Sequence, residues 1–249
     1  MFEVTLFVVA FLATLLSSMS GSGTSIINIP VFIWLGLSFP SALSLTIFSS
    51  VFWVLPASYN YLKGKVIEWK FLILYALIGL VGAYIGVRTV LSIDQRLFEI
   101  GIGTLIIFLV AYSYFRKELG LEAKATIAHS KIKVACAYLS ALVLGFYESI
   151  FGSGNGILFS FVSFYTKGFD FTRALGYYYA IAFAWCAFAA TLYIREGYFN
   201  IKLAIPVVLG GVLGGWCGSK LGRFKGNKFI KIMFVGIGSI LGLKLILGI

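Results

Sequence analysis

Ten apolar runs fill almost the whole chain, at 4–19, 26–39, 42–62, 71–90 and 97–115, then, after a polar stretch at 116–133, at 134–151, 157–165, 174–194, 203–221 and 229–249. A helix crossing the hydrocarbon core of a bilayer needs about 20 predominantly apolar residues, and most of these runs come close to that length. Only 12% of the residues are charged, roughly half the share found in a water-soluble domain. The pattern excludes a soluble fold and predicts an all-α polytopic membrane protein whose first partner is the lipid bilayer. The net charge of +11 sits in short loops between spans, where it reads as an orientation signal. No nucleic-acid partner is expected. The first apolar run lacks a basic start and is read as a span, not as a cleaved leader.

Two of the runs, 26–39 and 157–165, are short, and each follows a small polar stretch. These stretches are Gly21-Ser22-Gly23-Thr24-Ser25 and Gly152-Ser153-Gly154-Asn155-Gly156, with Gly152 lying 131 residues after Gly21. Glycine weakens a helix interior, and lipid cannot hydrogen-bond the backbone groups it frees, so both stretches are read as helix breaks. Each short run is expected to form a half-helix or a hairpin with the run before it.

The repeat extends further. Gly79, Gly82 and Gly86 match Gly211, Gly214 and Gly218, and Ala42-Leu43 matches Ala174-Leu175, at an offset of 132. The expected organisation is a first transmembrane repeat at 1–116, a polar connector at 117–133 and a second repeat at 134–249. Each repeat is a glycine-broken helix pair followed by three transmembrane helices. Whether a broken segment spans or returns, each half crosses an odd number of times, so the repeats should have inverted topology. Loop charge agrees. The most basic loops (Arg116, Lys117, Lys124, Lys131, Lys133 and Lys220, Arg223, Lys225, Lys228, Lys231) fall on one side by parity, the cytoplasmic side by the positive-inside rule. On that count 63–70 faces inside and 88–96 outside.

The breaks are the first candidates for a site. A helix N-terminus presents unpaired N–H groups and a partial positive charge, and can hold an anion. Ser22, Gly23, Thr24, Ser153, Gly154 and Asn155 supply backbone or neutral donors there, and Pro30 should bend the short segment and turn Asn28 toward a cavity. Small residues that merely let helices pack are the bland alternative; recurrence at matched positions favours a site. Glu148 lies four residues before the second break in an otherwise apolar run. Acids at membrane depth are costly and usually functional, so it is a candidate for proton coupling, against the alternative of a cap near the surface. The glycines three and four apart read as packing faces. Tyr177-Tyr178-Tyr179 read as ordinary membrane aromatics, and Cys136, Cys186 and Cys217 as isolated packing residues with no metal-ligand spacing. His129, the single histidine, lies in the connector, away from the spans where an intramembrane protease would need it. No metal and no cofactor are expected.

The order of these pieces resembles the TauE/SafE family, the sulfite exporter and related sulfur-compound anion permeases, over nearly the whole chain. In each half that family carries a glycine-rich break, a short helix, a long span ending near a basic-Gly-x-hydrophobic-acidic-aromatic stretch, then a glycine-rich span. Here the first half has Gly21-Ser22-Gly23 with Pro30, Lys63-Gly64-Lys65-Val66-Ile67-Glu68-Trp69, and Gly79, Gly82 and Gly86. The second has Gly152-Ser153-Gly154-Asn155-Gly156, Arg195-Glu196-Gly197-Tyr198-Phe199-Asn200, and Gly214 and Gly218. Thr24, Ser25 and Glu148 depart from its usual pattern. The resemblance implies a permease for a sulfur oxyanion or organosulfonate in the plasma (inner) membrane, and not an enzyme. A membrane enzyme and a non-transporting assembly subunit remain as alternatives, and the anion, the direction of transport and the oligomeric state stay open.

Overall fold

The computed structural model describes residues 2–89, 95–116, 118–123 and 131–248. Its helices are α1 (Phe2–Ser20), α2 (Ser25–Trp34), α3 (Phe39–Leu62), α4 (Trp69–Thr89), α5 (Gln95–Phe115), α6 (Lys131–Ile150), α7 (Asn155–Lys167), α8 (Phe171–Arg195) and α9 (Ile201–Leu247), with no strand among the described residues. Six of them, α1, α3, α4, α6, α8 and α9, are long and apolar enough to cross a membrane. The protein is an all-α, multi-pass membrane protein. Lys117 and residues 124–130 of the connector, Lys124 and His129 among them, lie outside the described residues, as does part of 88–96.

At 47 residues, α9 as a straight rod would be about 70 Å long, more than twice the hydrocarbon core. It does not run straight. Gly226, at φ 78° and ψ −176°, interrupts it, a left-handed conformation that glycine adopts without steric cost. The resulting limbs, 201–225 and 227–247, correspond to the last two apolar runs. One boundary differs from the sequence reading. The run at 26–39 is not one helix: α2 stops at Trp34, Gly36 turns with φ 94°, and Phe39 already belongs to α3. Ser38 caps α3, its hydroxyl oxygen accepting the Ser41 N–H at 3.4 Å, with Pro40 in the first turn. Hydropathy does not register such a turn because the residues around it remain apolar.

The helix directions follow from their contacts. Gly210, Gly214 and Gly218 lie against the carbonyls of Phe7, Phe11 and Leu15, so α1 runs parallel to the first limb of α9. Ser49 bonds the Val207 carbonyl and Asn60 bonds Ser219, which makes α3 parallel to that limb too. On the other side Gly82 and Gly86 lie against the carbonyls of Leu142 and Phe146, and Ala76 accepts from the Trp185 indole, so α4, α6 and α8 run together. Between α3 and α8 the order reverses, with Ser58 bonded to Gly176 and Lys65 to Asp170. Since α1 and α3 point the same way, α2 doubles back between them, and α7 does the same between α6 and α8. The broken segments are returning hairpins.

Several of these contacts recur at the repeat offset. A Cβ on Gly82 would stand 2.0 Å from the Leu142 carbonyl oxygen, and one on Gly214 2.2 Å from that of Phe11. Gly86 meets Phe146 and Ser149, and Gly218 meets Leu15 and Ser18. Tyr61 donates to the Ser18 carbonyl at 2.8 Å, and Tyr193 to the Ser149 carbonyl at 2.9 Å. Each half thus uses its glycine-rich helix to hold the other half's broken hairpin. The expectation that the glycines serve close packing is met.

One end of the bundle gathers the basic loops. Lys231 donates to the carbonyls of Arg116 and Leu119, Asn227 bridges Leu121 and the Thr172 N–H, and Arg223 bonds the Lys63 carbonyl. At this end Glu68 is paired with Lys167 and, at 3.3 Å, with Arg173, while Lys65 meets Asp170 at 3.3 Å. Burial pulls the Lys65 ammonium below the ordinary lysine range, opposed by the Asp170 carboxylate.

Gly82→Ala should destabilise the protein by about 1–3 kcal/mol or more, since the added methyl meets backbone that cannot rotate away. A Cβ at Gly101 would meet nothing within 4 Å, so Gly101→Ala should be neutral or slightly stabilising. Thermal unfolding of the two purified variants in the same detergent checks the contrast.

Candidate functional site

The two glycine breaks do more than end helices. In the first loop Gly21 and Gly23 have φ of 73° and 79°, and in the second Gly152 and Gly154 have 67° and 81°. The chain can therefore reverse within a few residues, and the absence of side chains lets the reversals touch. The Gly154 N–H donates to the Ser22 carbonyl at 2.5 Å. A Cβ on Gly23 would lie 2.7 Å from the Gly152 carbonyl oxygen, and one on Gly156 2.8 Å from the Gly21 Cα. The breaks, 131 residues apart in sequence, form one joint.

From this joint α2 and α7 set out with their N-termini together, and neither is capped by a side chain: Thr24 precedes α2 and Gly154 precedes α7 without a capping bond. First-turn N–H groups without a side-chain cap are the anion-binding element of a helix end.

Beside the joint, Glu148 of α6 is 8% exposed. Its Oε2 accepts from the Asn155 amide at 2.5 Å and from the Tyr178 hydroxyl at 2.8 Å, while the Cys186 thiol donates to Oε1 at 3.6 Å. Three helices thus converge on one carboxyl, which satisfies its acceptors away from water. Glu148 also faces a crevice bounded by Gly23, Thr24 and Ser25 of the first break, Gly152 of the second, Ile47, Ser50, Trp53 and Val54 of α3, and Tyr178 and Cys186 of α8. It is the one charged side chain among the described residues there. About 10 Å³ of this crevice is open to the centre of a water molecule, which is room for one water.

The positions read from sequence fall into two groups. Gly23 and Thr24 line the crevice, and Asn155 is one hydrogen bond behind it, holding Glu148 and the Leu144 carbonyl. Ser22 is taken up by a hydroxyl bond from Ser20 and by the Gly154 contact. Ser153 is fully buried with an unpartnered hydroxyl, and its carbonyl accepts the Tyr147 hydroxyl. Gly154 serves the joint. Asn28 is buried, and its amide oxygen has no partner, but it does not border the crevice: Pro30 is accommodated inside α2 without turning Asn28 into it.

Two residues read as bland belong to the site. Tyr178 and Cys186 both bond Glu148, whereas Tyr177 accepts the Glu68 N–H and Tyr179 donates to the Ser17 carbonyl. Cys136 is exposed on α6, not packed. The spacing of 178 and 186 on one face of α8 is the signal that sequence offered, and within a helix so rich in aromatics and alanines it does not stand out. Ser50 and Trp53 were likewise hidden in the apolar pattern of α3.

The chain is similar to known membrane transporter proteins along nearly its whole length. A probable membrane transporter protein of Haemophilus influenzae is 25% identical over 244 residues, covering 97% of this chain and 93% of its own. A probable membrane transporter protein, ORF9, of a Sinorhizobium species is 24% identical with 97% and 91% covered, and the probable membrane transporter protein YfcA of Escherichia coli K12 is 23% identical with 97% and 88% covered. No solved structure matches the chain significantly. Residues 6–245 match the family of the sulfite exporter TauE/SafE, and the chain belongs to that family.

Proposed function

We propose that this protein is a secondary transporter, a permease that carries a small anion across the plasma (inner) membrane by alternating access and performs no covalent chemistry. The observation that carries the reading is the joint: two returning hairpins meet at their breaks, with the N-termini of α2 and α7 together beside a buried acid. In membrane transporters, broken helices at matched points of two repeats mark the substrate site. The family and its relatives support a membrane permease; the sulfur oxyanion or organosulfonate, such as sulfite, is the further step taken here.

In this reading residues 1–116 and 134–249 are two inverted-topology repeats joined by a cytoplasmic connector at 117–133, and the basic end of the bundle faces the cytoplasm. The anion is held by N–H groups at the breaks and by Gly23, Thr24, Ser22, Asn28, Ser153, Gly154 and Asn155, those at the crevice directly and the others once the hairpins part. Room for one water is consistent, in this reading, with an occluded conformation. Glu148 couples the movement to protons, because it is the one acid among the described residues beside the joint and three donors tie its carboxyl to α7 and α8. A second reading, a non-transporting membrane subunit, draws on the same narrowness of the crevice.

Purified protein in sealed vesicles should take up at least one of sulfite, thiosulfate, sulfate or a small sulfonate saturably. Flat traces for all four with folded, inserted protein would favour the second reading. Glu148→Gln should abolish the dependence of uptake on an imposed pH gradient; full retention of that dependence would remove the coupling role. Replacing Thr24 by valine, which keeps the volume and deletes the hydroxyl at the crevice wall, should raise KM by about 10-fold, equivalent to about 1.4 kcal/mol.

A further inference from the structure

The crevice lies on the seam between α3 and α8, and the two ends of that seam are built differently. Toward the basic end the seam is sealed in depth. Ser58 bonds the Gly176 carbonyl, and a Cβ on Gly176 would stand 2.7 Å from the Leu62 side chain. Tyr61, fully buried, is tied to Ser18. Beyond it, Lys65 and Glu68 of the α3–α4 loop are paired with Asp170, Lys167 and Arg173 of the α7–α8 region.

The repeat offset of 132 places Leu35, Ser38, Ser41, Gly197 and Asn200 where the basic end has Lys167, Asp170, Arg173, Lys65 and Glu68. The ion-pair cluster therefore has no counterpart at the opposite end. There the seam opens into a vestibule with about 140 Å³ available to water centres, bordered by Phe39 and Leu43 of α3, Tyr193 of α8, Arg88 and Glu196. Phe39, Leu43, Ile47, Ser50 and Val54 form one stripe of α3, four, four, three and four residues apart, that runs from the vestibule into the crevice. Leu43 and Ile47 are one turn apart, about 6 Å along the helix. Both belong, with Tyr193 and Cys186, to one apolar cluster.

We infer that a small anion reaches the crevice from the Arg88–Glu196 vestibule, through a gate made by Leu43 and Tyr193, while the ion-paired end stays shut. This rests on the transport reading for its cargo, and on the packing alone for its route. Arg88 supplies the attraction. Its pairing with Glu196 is 3.5 Å long and more than half exposed on both sides, and such pairs are weak enough to exchange with a passing anion. The gate is apolar and thin, one helical turn, where the other end combines backbone contacts, a buried tyrosine and ion pairs.

Cys186 provides a reporter inside the crevice. With Cys136 and Cys217 changed to alanine, it is the remaining thiol, and a membrane-impermeant methanethiosulfonate can be supplied to either face of reconstituted vesicles. Arg195→Cys and Lys225→Cys, both exposed, mark the vestibule and basic faces. Leu43→Ala should let Cys186 react several-fold faster from the Arg195 face and leave its rate from the Lys225 face unchanged. Acceleration from the Lys225 face, or none from either, overturns the route. Should Leu43→Ala fail to insert, Leu43→Cys in an otherwise cysteine-free chain should react from the Arg195 face; an inert thiol or reaction from the other face overturns the route. Labelling needs no transport. Correct labelling without uptake of any anion would remove the transport reading and keep the route, and uptake with labelling from the wrong face would do the reverse.

Discussion

Backbone meeting backbone at the two glycine breaks is the contact on which the rest of the molecule depends. Lipid offers no hydrogen bonds, so a chain that leaves helical geometry within a membrane must find partners in other protein. Here each reversal finds them in the other. The Gly154 N–H meets the Ser22 carbonyl, and glycines on both sides keep the loops close enough for that bond to form. Once the joint is in place, α2 and α7 must start together, and Glu148, four residues before the second break, must face the space between them.

The long helices are arranged to support this joint. Each hairpin's first helix, α1 or α6, is held by a glycine-rich helix from the opposite half, the first limb of α9 or α4, through carbonyl contacts repeated at the offset of the sequence repeat. Without a hydrophobic driving force between helices in lipid, close approach at small residues is what holds such a bundle. Neither half is complete without the other, so substitutions along Gly79 to Gly86 and Gly210 to Gly218 would be felt at a site they do not touch.

Similarity of the halves does not extend to their chemistry. Ser17 occupies the place in the first half that Glu148 holds in the second, and its hydroxyl is buried without a partner. Ile47 and Val54, apolar, stand where the second half has Tyr179 and Cys186. Among the described residues, one scaffold, used twice, thus buries its acid in the second half alone. The clustered ion pairs of Lys65, Glu68, Lys167, Asp170 and Arg173 lie at one end, against a single exposed Arg88–Glu196 pair at the other among the described residues, so a repeated frame acquires a direction.

The sequence by itself determined the class, the repeat and the breaks. Apolar runs of spanning length, glycines recurring at an offset of 131 or 132 and basic loops of matched parity each follow from a rule that acts locally along the chain: bilayer thickness, backbone hydrogen bonding, loop charge. Glu148 stood out for the same reason, as an acid among apolar neighbours. Tertiary structure alone decided that the breaks touch, that the short helices return, that Tyr178 and Cys186 share Glu148 while Asn28 and Ser153 stay behind the wall, and that Phe39 opens α3. These depend on which faces of distant helices meet. Tyr178 and its neighbours Tyr177 and Tyr179 are identical as residues and differ only in direction, about 100° apart around α8, so their roles became distinct when α3, α4 and α6 were packed around them.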